Sequence, residues 1–280
     1  MTIMAKARAL RHFITPEAEY VARRLFNTVI PVRKRSHNTN VYHVCVWKTA
    51  SQWVRLVLSD PRIYRYSGLS VSLPNPLLRP DPRTVRLPER TIVAALVRDY
   101  RYFSDLPKPE RYFAFFVKRD PRDLVVSFYF SNRYSHPLDP VIARERAHLA
   151  RMTESEGLMH TIGQFHKFTA ILTSWQRAAR DDPRVRIVRY EDLTGDDRVE
   201  VWQCLLDAAD IRLPREVLVD VLAAYSFSKI TGGRPPGLEA VTHKYRKGIA
   251  GDWKNYLTPP LLDAFRARYG NLCAELGYET

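Results

Sequence analysis

The chain has 280 residues, 45% of them hydrophobic and 26% charged, a globular composition that excludes disordered and fibrous classes. Its formal charge of +14 favours anionic partners, whether nucleic acid, anionic lipid or a phosphorylated or sulfated small molecule. Three widely spaced cysteines (Cys45, Cys204, Cys273), no signal-peptide pattern and no run of ~20 apolar residues lead us to expect a cytoplasmic protein without a disulfide framework.

Residues 1–40 form a basic N-terminal extension in which eight lysines and arginines oppose only Glu17 and Glu19. Thr15 and Pro16 suit a helix start, and Ala18, Val21, Ala22, Leu25, Phe26 and Val29 follow a helical period. This segment is read either as a helix packed on the core or as a peripheral contact with an anionic membrane. The rest, 41–280, is read as a single domain. Val41 to Trp47 predicts a buried strand, followed by a turn, Lys48 to Gln52, and a helix over 53–58. Residues 72–90, rich in proline and arginine, read as an irregular connection. Strands are expected at 92–97, 112–117 and 185–190, and helices from Pro121 and over 141–152, 161–180, 199–209, 214–225 and 259–276. Strands alternating with helices predict an α/β fold: a mostly parallel sheet flanked by helices on both faces.

Three stretches carry chemistry. The turn at Lys48–Trp53 puts a helix N-terminus, a lysine and the hydroxyls of Thr49 and Ser51 beyond a strand end, where anions bind in such sheets. It is not a Walker A loop, because the first glycine of the chain is Gly68. Arg119 follows another strand and can grip a phosphate with its planar fork, with Ser127 eight residues on. Arg246-Lys247-Gly248 through Gly251 combines two cations with glycines that let a backbone wrap an anion. The eight histidines show no metal-ligand spacing, so no metal is expected.

Together the three stretches resemble sulfotransferases that use 3′-phosphoadenosine 5′-phosphosulfate (PAPS), in the family's order from about Val41 to Thr258. Trp47-Lys48-Thr49-Ala50-Ser51-Gln52-Trp53 is similar to the 5′-phosphosulfate loop, Arg119 to Ser127 to the 3′-phosphate motif, and Arg246 to Tyr256 to the C-terminal signature. The resemblance implies a P-loop-like domain with PAPS as co-substrate. Lys48 would stabilise the departing phosphate, the amides of residues 49–53 would cradle the 5′ end, and Trp53 and Tyr190 would lie near the adenine. Arg119, Ser127, Arg246, Lys247 and Gly248 would bind the 3′-phosphate. The acceptor implied is a small molecule, lipid or glycan bearing a hydroxyl or amine; a nucleic acid partner is not expected. Two departures stand out. Ala50 and Gln52 replace a usual glycine and hydroxyl, and no histidine lies between Lys48 and Arg119 to serve as the family's base. Asp99, at a predicted strand end before the Arg119 motif, where the family's base arises, is expected to be the base ahead of His136. A nucleotide-dependent kinase, or a basic module binding nucleic acid or membrane, is the alternative.

Overall fold

The computed structural model describes residues 25–27, 29–74 and 78–279. The helix start expected at Thr15 and Pro16 lies outside them, while Leu25, Phe26 and Val29 are exposed. Among the described residues five strands form one sheet: β1 (Asn40–Cys45), β2 (Ser70–Ser72), β3 (Thr91–Leu96), β4 (Tyr112–Lys118) and β5 (Val185–Arg189). Their order is β2-β3-β1-β4-β5 and every pairing is parallel. β1 is central, buried along its whole length and flanked by β3 and β4. The chain therefore reverses its direction across the sheet between β1 and β4. A crevice opens at such a switch point beyond the carboxyl ends of the strands.

Strand alternation divides the core. Tyr42, Val44, Ala114 and Phe116 face one layer with Trp175 and Phe165. Val41, Phe113, Phe115 and Val117 face the other with Trp202 and Leu193. Tyr42, Phe103 and Tyr112 pack edge to face, and Phe116 stacks on Trp175 at 5.6 Å. Between β1 and β3 the register slips, and Ala95 takes a positive φ of 63° while its amide donates to His43 Nδ1 at 3.3 Å. His43 is fully buried, and burial pulls its pKa down to about 3, so this ring is neutral.

The helices, in chain order, are α1 (Ser51–Leu58), α2 (Pro61–Arg65), α3 (Tyr100–Asp105), α4 (Pro121–Phe130), α5 (Pro140–Leu149), α6 (Glu154–Gln164), α7 (His166–Asp181), α8 (Tyr190–Thr194), α9 (Arg198–Ala208), α10 (Arg215–Ala224), α11 (Phe227–Thr231), α12 (Pro259–Tyr269) and α13 (Leu272–Glu275). The expected helix over 259–276 is two, broken at Gly270, whose φ of 52° ends α12. Just before the irregular connection lies β2, an unexpected three-residue edge strand too short and polar to show a period. The helix expected over 161–180 is split at Phe165 between α7 and the end of α6, which starts earlier with a capping box of Thr153 and Glu156. Tyr190 opens a short helix instead of ending the strand. Residues 33–39 are already tied to the fold. The Arg33 amide donates to the Arg65 carbonyl at 2.7 Å, and buried Ser36 donates to the Ala209 carbonyl at 3.2 Å.

Candidate functional site

Four strands deliver side chains to the same edge of the sheet. Lys48 and Asp99 stand three residues beyond β1 and β3, and Arg119 and Tyr190 directly beyond β4 and β5. The turn after β1 is left-handed at two places, Lys48 at φ 73° and Ala50 at φ 59°. Ala50 thus adopts the conformation for which glycine is the ordinary choice, and the loop closes despite the substitution. As N-cap of α1 it has no side-chain acceptor to offer, and the amides of Thr49, Ala50, Ser51 and Gln52 donate to no backbone carbonyl. Those amides suit an anion. The hydroxyl of Thr49, expected to face a ligand, is buried and donates to the Val46 carbonyl at 2.9 Å. Gln52 is exposed and accepts from Arg55 at 2.9 Å. Trp53 packs edge to face on Trp202, and its indole donates to the Tyr225 carbonyl at 2.8 Å.

Arg119 forms the second wall. Its guanidinium donates to the Lys48 carbonyl at 3.2 Å, the Ile249 carbonyl at 3.1 Å and Asp123 at 3.3 Å, and lies 4.4 Å over the Tyr190 ring. Its Nε is buried without a partner, and such a group ordinarily has one. Tyr190 is therefore the support beneath Arg119. Ser127 is half-buried one turn beyond Asp123 on α4, so the two share a face.

The third wall is the loop ending at Tyr256. Arg246 pairs with Glu239 and Asp252 and lies 4.3 Å over Phe130. Lys247 bonds Asp252 at 2.6 Å. Gly248 has φ 71°, and a Cβ there would meet the Phe227 ring at 2.3 Å, so conformation and contact both require glycine. Asp123, fully buried, accepts from the amides of Gly251 at 2.8 Å and Trp253 at 2.9 Å. It binds this loop to the Arg119 wall. Asp123 stood inside the recognised motif, but its partners lie some 130 residues away and left no local signal.

Lys48 faces both arginine walls. Burial, then the charges of Arg119 and Arg246, pull its pKa down to about 8. His136 sits at the end of a π-helical turn continuing α4, Ser131–Ser135. Burial and then Lys48 lower its pKa, and its Nδ1 lies 3.5 Å from the Ser131 hydroxyl. Lys48, Arg119, Arg246 and His136 therefore share one electrostatic neighbourhood. Asp99 instead caps α3, accepting from the Tyr102 amide at 2.8 Å. Phe103, Phe130 and Phe165 are core, whereas Tyr134 is exposed and Phe168 half-buried against the exposed Trp47. Among the described residues no group of three or more His, Cys, Asp or Glu is placed to hold a metal, and no helix is long and apolar enough to cross a membrane.

Residues 115–277, more than half of the chain, match the family model of the sulfotransferase domain. Guinea-pig (Cavia porcellus) sulfotransferase 1E1 is 31% identical over 105 residues, 34% of each chain. Mouse (Mus musculus) sulfotransferase 2B1 is 28% identical over 231 residues, covering 78% of this chain and 61% of that protein. These two alignments thus span between about a third and three fifths of the relatives' length. Among solved structures, mouse sulfotransferase SULT7A1 complexed with PAP shares the fold at a TM-score of 0.54 and 16% identity, over 86% of each chain. Retinol dehydratase in a complex with retinol and PAP does so at 0.57 and 15%, over 90% of this chain and 84% of that one.

Proposed function

This chain belongs to the sulfotransferase domain family, and on that premise we propose that it transfers a sulfuryl group from PAPS to a hydroxyl or amine of a small-molecule, lipid or glycan acceptor by in-line displacement. The observation that carries this reading is the convergence of Lys48, Arg119 and Arg246 from three separate parts of the chain, with the Arg119 Nε left over. Arg119 and Arg246 keep carboxylate partners in Asp123, Glu239 and Asp252, while among the described residues no carboxylate pairs with Lys48, and the unbonded amides of residues 49–52 beside it suit an anionic group. The residues fit a nucleotide with phosphates at both ends. Arg119, Ser127, Arg246, Lys247 and the Gly248 backbone take the 3′-phosphate. The turn amides with Lys48 take the 5′ end, and Trp53 and Tyr190 lie on the adenine side.

PAPS supplies an activated sulfuryl group whose transfer needs positioning and charge stabilisation more than covalent chemistry. Lys48 stabilises the negative charge that grows on the leaving phosphate. His136, kept neutral by burial and by Lys48, is the better placed of the two base candidates to take the acceptor proton. Asp99 is already engaged as a cap. We assign the segment before Arg33 to a basic extension and 33–280 to the transferase domain, because residues 33–39 bond to the fold and β1 starts at Asn40. The extension is the candidate for contact with an anionic membrane surface, and we assign no nucleic acid partner.

The test is an acceptor screen with PAPS, reading PAP release by chromatography and the sulfated product by mass spectrometry. The expected result is product formation that fails in Lys48→Met. Release of PAP at the same rate in wild type and Lys48→Met would refute the assignment.

A further inference from the structure

The side chain that organises the Arg246-Lys247-Gly248 wall belongs to none of the motifs. Arg234 lies in the loop after α11, and its guanidinium reaches four groups of the segment that leads to the wall. Nη1 donates to the Leu238 carbonyl at 2.7 Å and to the Arg246 carbonyl, and Nη2 to the Tyr245 carbonyl and to His243 Nδ1 at 3.3 Å. The same guanidinium lies 4.9 Å over the Phe227 ring, against which Gly248 is packed. Two backbone bonds complete the ladder: the Gly237 amide to the Lys247 carbonyl at 2.8 Å, and the Ala240 amide to the Arg246 carbonyl at 2.9 Å.

The ladder and Arg234 engage the carbonyls of residues 245–247, and so fix the backbone from which the Arg246 and Lys247 side chains spring. The segment needs such a fastening. It carries Gly232, Gly233 and Gly237 at positive φ and has no helix or strand between α11 and Asp252. A loop this rich in glycine loses much entropy when ordered. A planar fork with several donors in fixed directions can hold several carbonyls at once, and an ammonium cannot reproduce that geometry.

We propose that Arg234 is a positioning residue for recognition of the 3′-phosphate: it touches no ligand and sets the geometry in which Arg246, Lys247 and the Gly248 amide meet that group. The proposal rests on the PAPS reading of the site. It says that Arg234 governs discrimination between nucleotides with and without a 3′-phosphate. It leaves the 5′ end and the chemistry at Lys48 to other residues.

The experiment measures affinities of the full chain for PAP and for adenosine 5′-phosphate (AMP) by calorimetry, in wild type, Arg234→Lys and Arg234→Ala, with melting temperatures as a fold check. In both variants PAP binding is expected to weaken about tenfold or more, the worth of one or two charge-assisted bonds, while AMP binding changes less than about twofold. Turnover at saturating PAPS should stay near wild type while KM for PAPS rises, a split that general loosening of the fold would not produce. A folded variant that keeps the wild-type preference for PAP over AMP overturns the proposal. A wild-type protein that shows no such preference overturns the reading of the site itself. If neither variant folds, hydrogen exchange on the wild type decides. PAP must then protect the amides of residues 237–248 as one cooperative unit, and protection confined to 48–53 and 119–127 overturns the role of Arg234.

Discussion

Binding of PAP should be accompanied by proton uptake at Lys48. In the free protein burial and the charges of Arg119 and Arg246 lower this ammonium from 10.5 to about 8. That displacement corresponds to roughly 3 kcal/mol held against the charged form. The cost is present in full below about pH 8 and is relieved as pH rises towards 10.5, because only the protonated lysine is penalised. A bound nucleotide with a phosphate at each end reverses the balance: its 3′-phosphate neutralises the two arginines, and its 5′ group attracts the ammonium and raises its pKa. The complex should therefore take up no proton well below pH 8, about half a proton near pH 8 and most of one near pH 9. Calorimetry in buffers of different ionisation enthalpy reads this number directly. In Lys48→Met the uptake near pH 9 should vanish. In Lys48→Arg it should vanish too, since a guanidinium stays charged throughout this range. Absence of pH-dependent uptake in the wild type, or its persistence in Lys48→Met, would show that Lys48 does not meet the charge of the bound nucleotide.

Ala50→Gly should stabilise the protein. It removes a left-handed penalty of about 1–2 kcal/mol and gives back about 0.4–1 kcal/mol through the freer unfolded chain. The net gain, up to about 1.6 kcal/mol, is read by denaturant unfolding; a loss of stability would mean that the turn is not strained at Ala50. For the base, His136→Ala should cut turnover by ~10²-fold or more and remove the acid limb of the rate profile. Because burial and Lys48 lower the His136 pKa, that limb lies below 6.5, and turnover falls only as pH drops far enough to protonate the ring. Asp99→Asn should lose stability more than rate; equal turnover in His136→Ala and wild type would remove His136 from the mechanism.

Much of the fold was legible because its signals are local. β1 and β4 are wholly buried strands and read as continuous apolar runs. The loops after them carry residue types suited to anions, and the family resemblance rested on these stretches. What escaped was short or non-local. β2 is a Ser-Val-Ser edge strand, and α3 and α11 span one or two turns. Asp99 reads equally as a base or as a helix cap, because both uses place a carboxylate just beyond a strand, and only its bond to the Tyr102 amide separates them. Thr49 looked like a ligand donor for the same reason, yet its hydroxyl closes its own turn. The Asp123 clamp joins segments some 130 residues apart, and Arg234 acts through backbone carbonyls, which have no residue identity to read. His136 is 17 residues past Arg119, and only the π-helical turn and the packing around α4 bring it under the influence of Lys48.

The central claim is a site that holds phosphates at both ends of an adenosine nucleotide, and the shift in melting temperature with PAP against AMP tests it most directly. At a hundredfold excess over its Kd, PAP should contribute about 2.7 kcal/mol. That amounts to roughly 5 °C or more for a domain near this size. AMP at the same concentration should shift the transition far less, and the difference should disappear in Arg119→Ala. Equal shifts with PAP and AMP in the wild-type protein would contradict the account.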